Sequence, residues 1–252
     1  MSRDNTSYML FFALVVTVVS GLVLAVVANV LRPYQERNIQ LEKMSYVLQA
    51  ANYNGNDIEP AFNRYVTPLA INAQGEVVMD GTDPALREKI LKINILSELK
   101  KKPEQRVLPI YHYQHDNKSC YVFPVGGKGL WGPIWGYVAL EPDLNTIMGV
   151  VFDHKSETPG LGGEITKSWF QQQFVGKKIF NKEGDLTGIV VMKGKANNND
   201  PYSVDGITGA TLTGKGVTAM FHDMFQWYLP YIQKLKKPTA YSFKMYIFVL
   251  AA

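Results

Sequence analysis

Glycine and threonine recur through Asp205-Gly206-Ile207-Thr208-Gly209-Ala210-Thr211-Leu212-Thr213-Gly214-Lys215, and an amphipathic segment follows directly. This combination suits a phosphate. Gly206, Gly209, Gly214 and Gly216 permit tight curvature and bring backbone N–H groups within reach of a ligand. Thr208, Thr211 and Thr213 add hydroxyls, and the start of a helix offers unpaired N–H donors and a dipole that favours an anion. A simpler account makes Thr213 the N-cap of that helix. It leaves the other small and hydroxyl residues unexplained.

Two further glycine-rich stretches lie upstream. In His154-Lys155-Ser156-Glu157-Thr158-Pro159-Gly160-Leu161-Gly162-Gly163, Glu157, Thr158 and the glycine backbone could hydrogen-bond a polar ring edge, while Leu161 could pack on a flat ring. A plain polar surface loop would have the same composition. Gly127-Lys128-Gly129-Leu130-Trp131-Gly132 has the spelling of a dinucleotide fingerprint, but Pro133 and a strand-like run follow where a helix must open. It reads instead as a tight loop carrying Trp131, whose ring could fill the core or contact a planar ligand. GATLTGK at Gly209–Lys215 approaches a P-loop, yet Gly216 stands where a magnesium-binding hydroxyl belongs. His154 and Glu157 lack a third metal ligand at usable spacing, and no metal site is expected. No nucleophile–base arrangement for catalysis accompanies the motif, and His112 and His115 have no cysteine or carboxylate frame.

The elements that must position these loops read as an α+β domain. Ile71–Val78 suggests two strand ends around a turn at Gly75, and Asp83–Leu99 an amphipathic helix opened by Asp and Pro. Strands are expected over Arg106–His112, Cys120–Val125, Ile134–Leu140 and Thr146–Asp153. Gly163–Val175 has helical spacing, Gly184–Val191 reads as a strand, and Asn197–Pro201 as a polar loop. A last helix over Gly214–Tyr228 aligns Val217, Met220, Phe221, Met224, Phe225 and Tyr228.

Ahead of this domain, Tyr8–Leu31 holds 24 residues without a formal charge. As a helix it would be about 36 Å long, enough for a hydrocarbon core of about 30 Å. A signal peptide is the competing reading, but its apolar region runs to only about 7–15 residues. The expected organisation is therefore a tail and anchor over 1–33, and a folded domain with its membrane-proximal stalk over 34–252. Arg3 against Arg32, Arg37 and Lys43 would keep the domain cytoplasmic by simple count, on a bias of a few residues. In 252 residues, 26 Lys plus Arg face 22 Asp plus Glu, with no cluster resembling a nucleic-acid reader. Lys234, Lys236 and Lys237 form a small basic patch, read as solvated surface or a contact for anionic lipid. Trp227, Tyr228, Pro230 and Tyr231 suit either a partner surface or the core. Cys120 is alone, so no internal disulfide is possible.

Taken together, the residues resemble a known family. Asp205–Thr213 is similar to the (S/T)GATx(S/T) covalent-flavin motif. The HKSETPGLGG and GKGLWG stretches and the single anchor resemble the C subunits of sodium-translocating NADH:quinone oxidoreductases along essentially the whole chain. The flavin-carrying G subunits of Rnf-type electron-transport complexes are the related alternative. The resemblance implies an FMN-binding domain with a mostly antiparallel sheet and flanking helices, plus one transmembrane helix. It implies FMN esterified through its phosphate to Thr213 by a flavin transferase. Thr208 stands where Ser is commoner, and Gly209, Ala210, Thr211 and Leu212 complete the motif. Glu157, Thr158 and Leu161 are expected near the flavin, with Trp131 a further ring neighbour. The implied function is electron relay in a bacterial inner-membrane translocase that oxidises NADH, reduces ubiquinone and moves sodium. Other membrane, flavin and iron–sulfur subunits would complete the complex, since one uncharged helix is no ion pathway. The domain is then expected on the periplasmic face, against the charge count. Cofactor-free anchoring and non-covalent nucleotide binding are the competing classes.

Overall fold

The computed structural model describes residues 6–236, which divide into two compact units between Glu42 and Lys43. Arg3 and Lys237 lie outside the described residues. A single helix, α1 (Thr6–Ala50), begins in the first unit, passes Pro33 and ends in the second. Over Tyr8–Leu31 its apolar side chains point in every direction, and Phe11, Leu14, Leu22 and Leu24 are all exposed. A core helix would bury one stripe, whereas apolarity all round suits lipid.

The second unit is built on a six-stranded antiparallel sheet ordered β2-β1-β3-β4-β5-β6. Its strands are β1 (Val66–Ile71), β2 (Val77–Asp80), β3 (Leu108–His115), β4 (Lys118–Lys128), β5 (Pro133–Leu140) and β6 (Ile147–His154). The helix α2 (Ile58–Tyr65) leads into β1, while α3 (Pro84–Lys92) and α4 (Ile95–Glu98) join β2 to β3. The helix expected over Asp83–Leu99 is split because Ile93 is extended and the Asn94 side chain caps the amide of Leu96.

The long helix α6 (Thr211–Lys236) lies across β4. Residues at i, i+3, i+4 spacing fill one stripe, and Phe225 and Tyr228 sit 5.6 and 5.0 Å from the Phe123 ring. Truncating one such buried ring costs about 3–5 kcal/mol. Tyr228 and Tyr231 are buried, and the Tyr228 hydroxyl donates to the Pro124 carbonyl at 2.8 Å, so this aromatic group belongs to the core. On the sheet's other face lie the last turns of α1, with Met44, Val47 and Leu48 buried and Tyr46 donating to Asp153 at 2.7 Å.

Two expectations are revised. Gly163–Val175 is two 3-10 turns around the short helix α5 (Ser168–Gln171). The strand expected over Gly184–Val191 reduces to β7 (Val190–Val191), paired in parallel with β8 (Ser203–Val204). Lys234 and Lys236 are exposed, as a solvated patch would be, while Lys234 also donates to the Gln74 carbonyl at 2.9 Å and Lys236 lies 4.0 Å from the Phe180 ring centre.

Candidate functional site

Strand register brings the three glycine-rich stretches together. Lys128 pairs with Pro133, so Gly129–Gly132 closes the β4–β5 hairpin, with the Gly129 amide donating to the Gly132 carbonyl at 2.8 Å. Ile134 pairs with His154, which puts Lys155–Gly163 at the same end of the sheet. The first turn of α6 arrives there because Gly216 lies against the backbone of Lys128 and Gly129.

At the centre is a buried pair contributed by two of these segments. The Thr213 hydroxyl donates to Glu157 Oε2 at 2.6 Å, with the residues 1% and 3% exposed. Glu157 Oε1 accepts the amides of Trp131 at 2.8 Å and Gly132 at 3.3 Å, and its own amide donates to His154 Nδ1 at 3.1 Å. A buried carboxylate without partners would be costly, and three donors from two elements compensate it. Gly162 closes over the pair: an added Cβ would meet both Glu157 Oε2 and Thr213 Oγ1.

The helix starts earlier than expected, and this changes the role of Thr213. Ala210, buried, occupies the position before α6, and its carbonyl accepts the Gly214 amide at 2.9 Å. Thr213 therefore lies inside the first turn and is no N-cap; its hydroxyl is turned to Glu157. The amides of Thr211, Leu212 and Thr213 precede the first intrahelical bond and remain available to an anion. Gly214 and Gly216 also differ from expectation. They lie within the helix and allow close packing, against Val191 and the Lys128 carbonyl respectively.

The remaining residues of interest surround the pair. Thr208, Thr211 and Leu212 are exposed. Gly209 is left-handed at φ +77°, a conformation that a side chain would strain, and Leu161 covers it. Thr158 is exposed and its carbonyl accepts the amides of Leu161 and Gly163 at 3.1 and 2.9 Å. Trp131 reaches the pair only through its backbone; its ring is 67% exposed.

Two open clefts border the motif. One of about 380 Å³ is lined by Met192, Lys193, Thr208, Gly209, Thr211 and Lys215. The other, of about 1120 Å³, includes Gly160, Trp169, Lys177, Lys195 and Thr208. The first falls within the roughly 300–1,000 Å³ usual for a cofactor-sized molecule, and the second is larger than that range. Asp205 anchors the loop between them, accepting Lys195 Nζ at 2.7 Å and the Ala196 amide at 2.8 Å. The Lys195 contact is the main reason its carboxyl is held below the usual range. Sequence reasoning gave the backbone at Gly160 and Gly162 a hydrogen-bonding role, but not the closure of Gly162 over the pair, and it passed over Asp205 as an individual.

Comparison with known proteins adds independent findings. Residues 129–226 match the FMN-binding domain family, a span that contains the 154–163 and 205–215 glycine-rich segments and all but the first two residues of the 127–132 stretch. The C subunit of the Na(+)-translocating NADH-quinone reductase of Neisseria meningitidis is 33% identical, over 94% of this chain and 97% of its own. The Pseudomonas aeruginosa counterpart is 31% identical over 88% and 92%. Among solved structures, the corresponding protein from Parabacteroides distasonis superposes with a TM-score of 0.69 at 31% identity, covering 83% of this chain and 98% of that one. NqrC of Shewanella oneidensis gives the same score and identity over 79% and 99%.

Proposed function

The chain belongs to the NqrC family, the C subunits of Na(+)-translocating NADH-quinone reductases, and on that premise we propose that Thr213 carries its FMN as a phosphoester. The protein is a membrane-associated flavoprotein subunit of a multisubunit, sodium-translocating respiratory complex. FMN, when bound, supplies redox chemistry that amino-acid side chains lack. The chain's own task is to hold, orient and screen it.

The residues fit that task. The first-turn amides of α6 and the helix dipole favour the charge of a phosphodiester attached at Thr213. Thr208, Thr211 and Gly209 line the cleft beside it. Leu161, 42% exposed over Gly209, offers an apolar surface to a ring, and Thr158 a polar edge. Trp131 can supply a further aromatic surface from the hairpin. Glu157, fixed by two amides of that hairpin, sets the local field. The observation that carries the proposal is Thr213 itself: a buried hydroxyl on the first turn of a helix, held on a buried carboxylate, with its neighbours Thr211 and Gly214 lining an open cleft.

In this reading Tyr8–Leu31 spans a bacterial inner membrane once, with the FMN domain on the periplasmic side. Electrons pass between this flavin and centres on neighbouring flavin and iron–sulfur subunits, and a flavin transferase performs the attachment. Full-length protein produced with and without that transferase, measured by intact mass, is the test. A gain of one flavin phosphate that is absent in Thr213→Ala, and fluorescence that survives a denaturing gel, are expected. A colourless product with no mass gain would indicate a cofactor-free protein instead.

A further inference from the structure

Accepting that Thr213 is the esterified residue, we infer that Glu157 is the base that takes its hydroxyl proton during flavin attachment. The pair is already in the geometry the step needs. Thr213 Oγ1 donates to Glu157 Oε2 at 2.6 Å, within the range over which a base removes a proton directly. An unassisted threonine hydroxyl is a poor nucleophile, and an adjacent carboxylate is one means of activating it. Glu157 is oriented as well as close. Its other oxygen is fixed by the amides of Trp131 and Gly132, and Oε2 is left directed at Thr213.

Ester formation in water needs an activated donor, here a flavin phosphoanhydride of the dinucleotide class. Thr213 Oγ attacks the flavin-side phosphorus and forms the new P–O bond. The anhydride P–O bond breaks, and its electron pair leaves with the nucleotide monophosphate. The hydroxyl proton passes to Glu157 Oε2. No electron is gained or lost.

The burial of Thr213 adds a steric condition. Gly162 covers the hydroxyl, so the Gly160–Gly163 segment has to lift before a phosphorus can reach it. Gly160 is left-handed, with nothing within 4 Å of an added Cβ, and its amide donates to Glu164 Oε1 at 3.2 Å, a bond local to the same loop. The bonds from Trp131 and Gly132 come from the adjacent β4–β5 hairpin, outside the Gly160–Gly163 segment, and keep the carboxylate beside Thr213 as that segment opens.

The experiment follows attachment by intact mass over time, using the full chain, a flavin transferase and FAD. Glu157→Gln keeps the shape and removes the base, and its initial rate should fall about 100-fold or more, as loss of general-base assistance does. In Glu157→Ala, added formate should recover the rate by about 10-fold while formamide does not, because only formate can accept the proton. Circular dichroism establishes that each variant is folded, and the formate comparison decides if Glu157→Gln is not. A Glu157→Gln rate within about 3-fold of wild type, or no effect of formate, overturns the inference while leaving the ester at Thr213 intact. A wild-type chain that never gains the flavin mass at Thr213 overturns both.

Discussion

Gly162→Ala should destabilise the FMN domain although alanine is the better helix former. Residue 162 opens a 3-10 turn, where removing glycine's backbone freedom would ordinarily stabilise by about 0.5–1 kcal/mol. Against this, the new methyl would meet Glu157 Oε2 and Thr213 Oγ1 together. Neither partner can step aside cheaply. Glu157 is tied to Trp131 and Gly132, and Thr213 is β-branched on a helix turn, with few side-chain rotamers to choose from. Loss of a hydrogen bond to a charged group costs about 1.5–3 kcal/mol, and overpacking adds about 1–3 kcal/mol. The lost hydrogen bond and the overpacking outweigh the backbone gain, for a net loss of about 1.5–5.5 kcal/mol. Gly160→Ala provides the contrast, since there the penalty is only the left-handed backbone, about 1–2 kcal/mol. Urea denaturation of the detergent-solubilised full chain reads both through the midpoint at constant slope. A Gly162→Ala midpoint equal to wild type, or above that of Gly160→Ala, would refute the account of a closed Thr213–Glu157 pair.

Cys120 is fully buried and burial raises its thiol pKa to about 12. Iodoacetamide at pH 8 should leave the native protein unmodified and label it once denatured; rapid native labelling would contradict the packing. Lys43 donates to the Leu91 and Ile93 carbonyls, and burial lowers its pKa to about 8 from 10.5. The unfolded chain then binds the extra proton between those values, so this residue makes stability rise as pH increases from about 8 towards 10.5. Comparing thermal midpoints of wild type and Lys43→Met across that window isolates the contribution, and identical pH slopes would exclude it. Asp205 has a lowered pKa through Lys195 first and the Ala196 amide second, so its contribution is present above the ordinary carboxylate range and is lost as pH falls through the lower folded value. Lys195 is 90% exposed, so Asp205→Asn should cost no more than about 1 kcal/mol at neutral pH, and part of that should disappear in high salt.

The antiparallel sheet was legible because its central strands combine β-branched and aromatic residues with turn residues between them, and the observed β3–β6 coincide closely with those runs. The segment after Gly162 was not. Ile165, Phe170 and Phe174 are all fully buried, yet residues five apart on a helix lie about 140° round from one another. A straight helix could not direct Ile165 and Phe170 into the same core, so the chain breaks into short turns. Gly188, left-handed at φ +65°, turns the chain where a strand was read, with the Thr187 and Gly188 amides both donating to the Ile179 carbonyl. There the glycine was the visible signal, and the apolar residues around it outweighed it.

The site shows a different limit. Residue types suggested an anion seat at the start of α6, but Thr213 and Glu157 are 56 positions apart and no periodicity links them. They meet because two strand registers, Lys128 with Pro133 and Ile134 with His154, bring a hairpin and a loop to one end of the sheet. The helix is then drawn in at a glycine, Gly216, whose conformation is ordinary but whose missing side chain is essential to the approach. From sequence, such a glycine is indistinguishable from one that curves a phosphate loop. The difference matters chemically. A loop hydroxyl would stand free in solvent, whereas a hydroxyl inside the first helical turn can be directed at a buried carboxylate while the amides around it still face an anion.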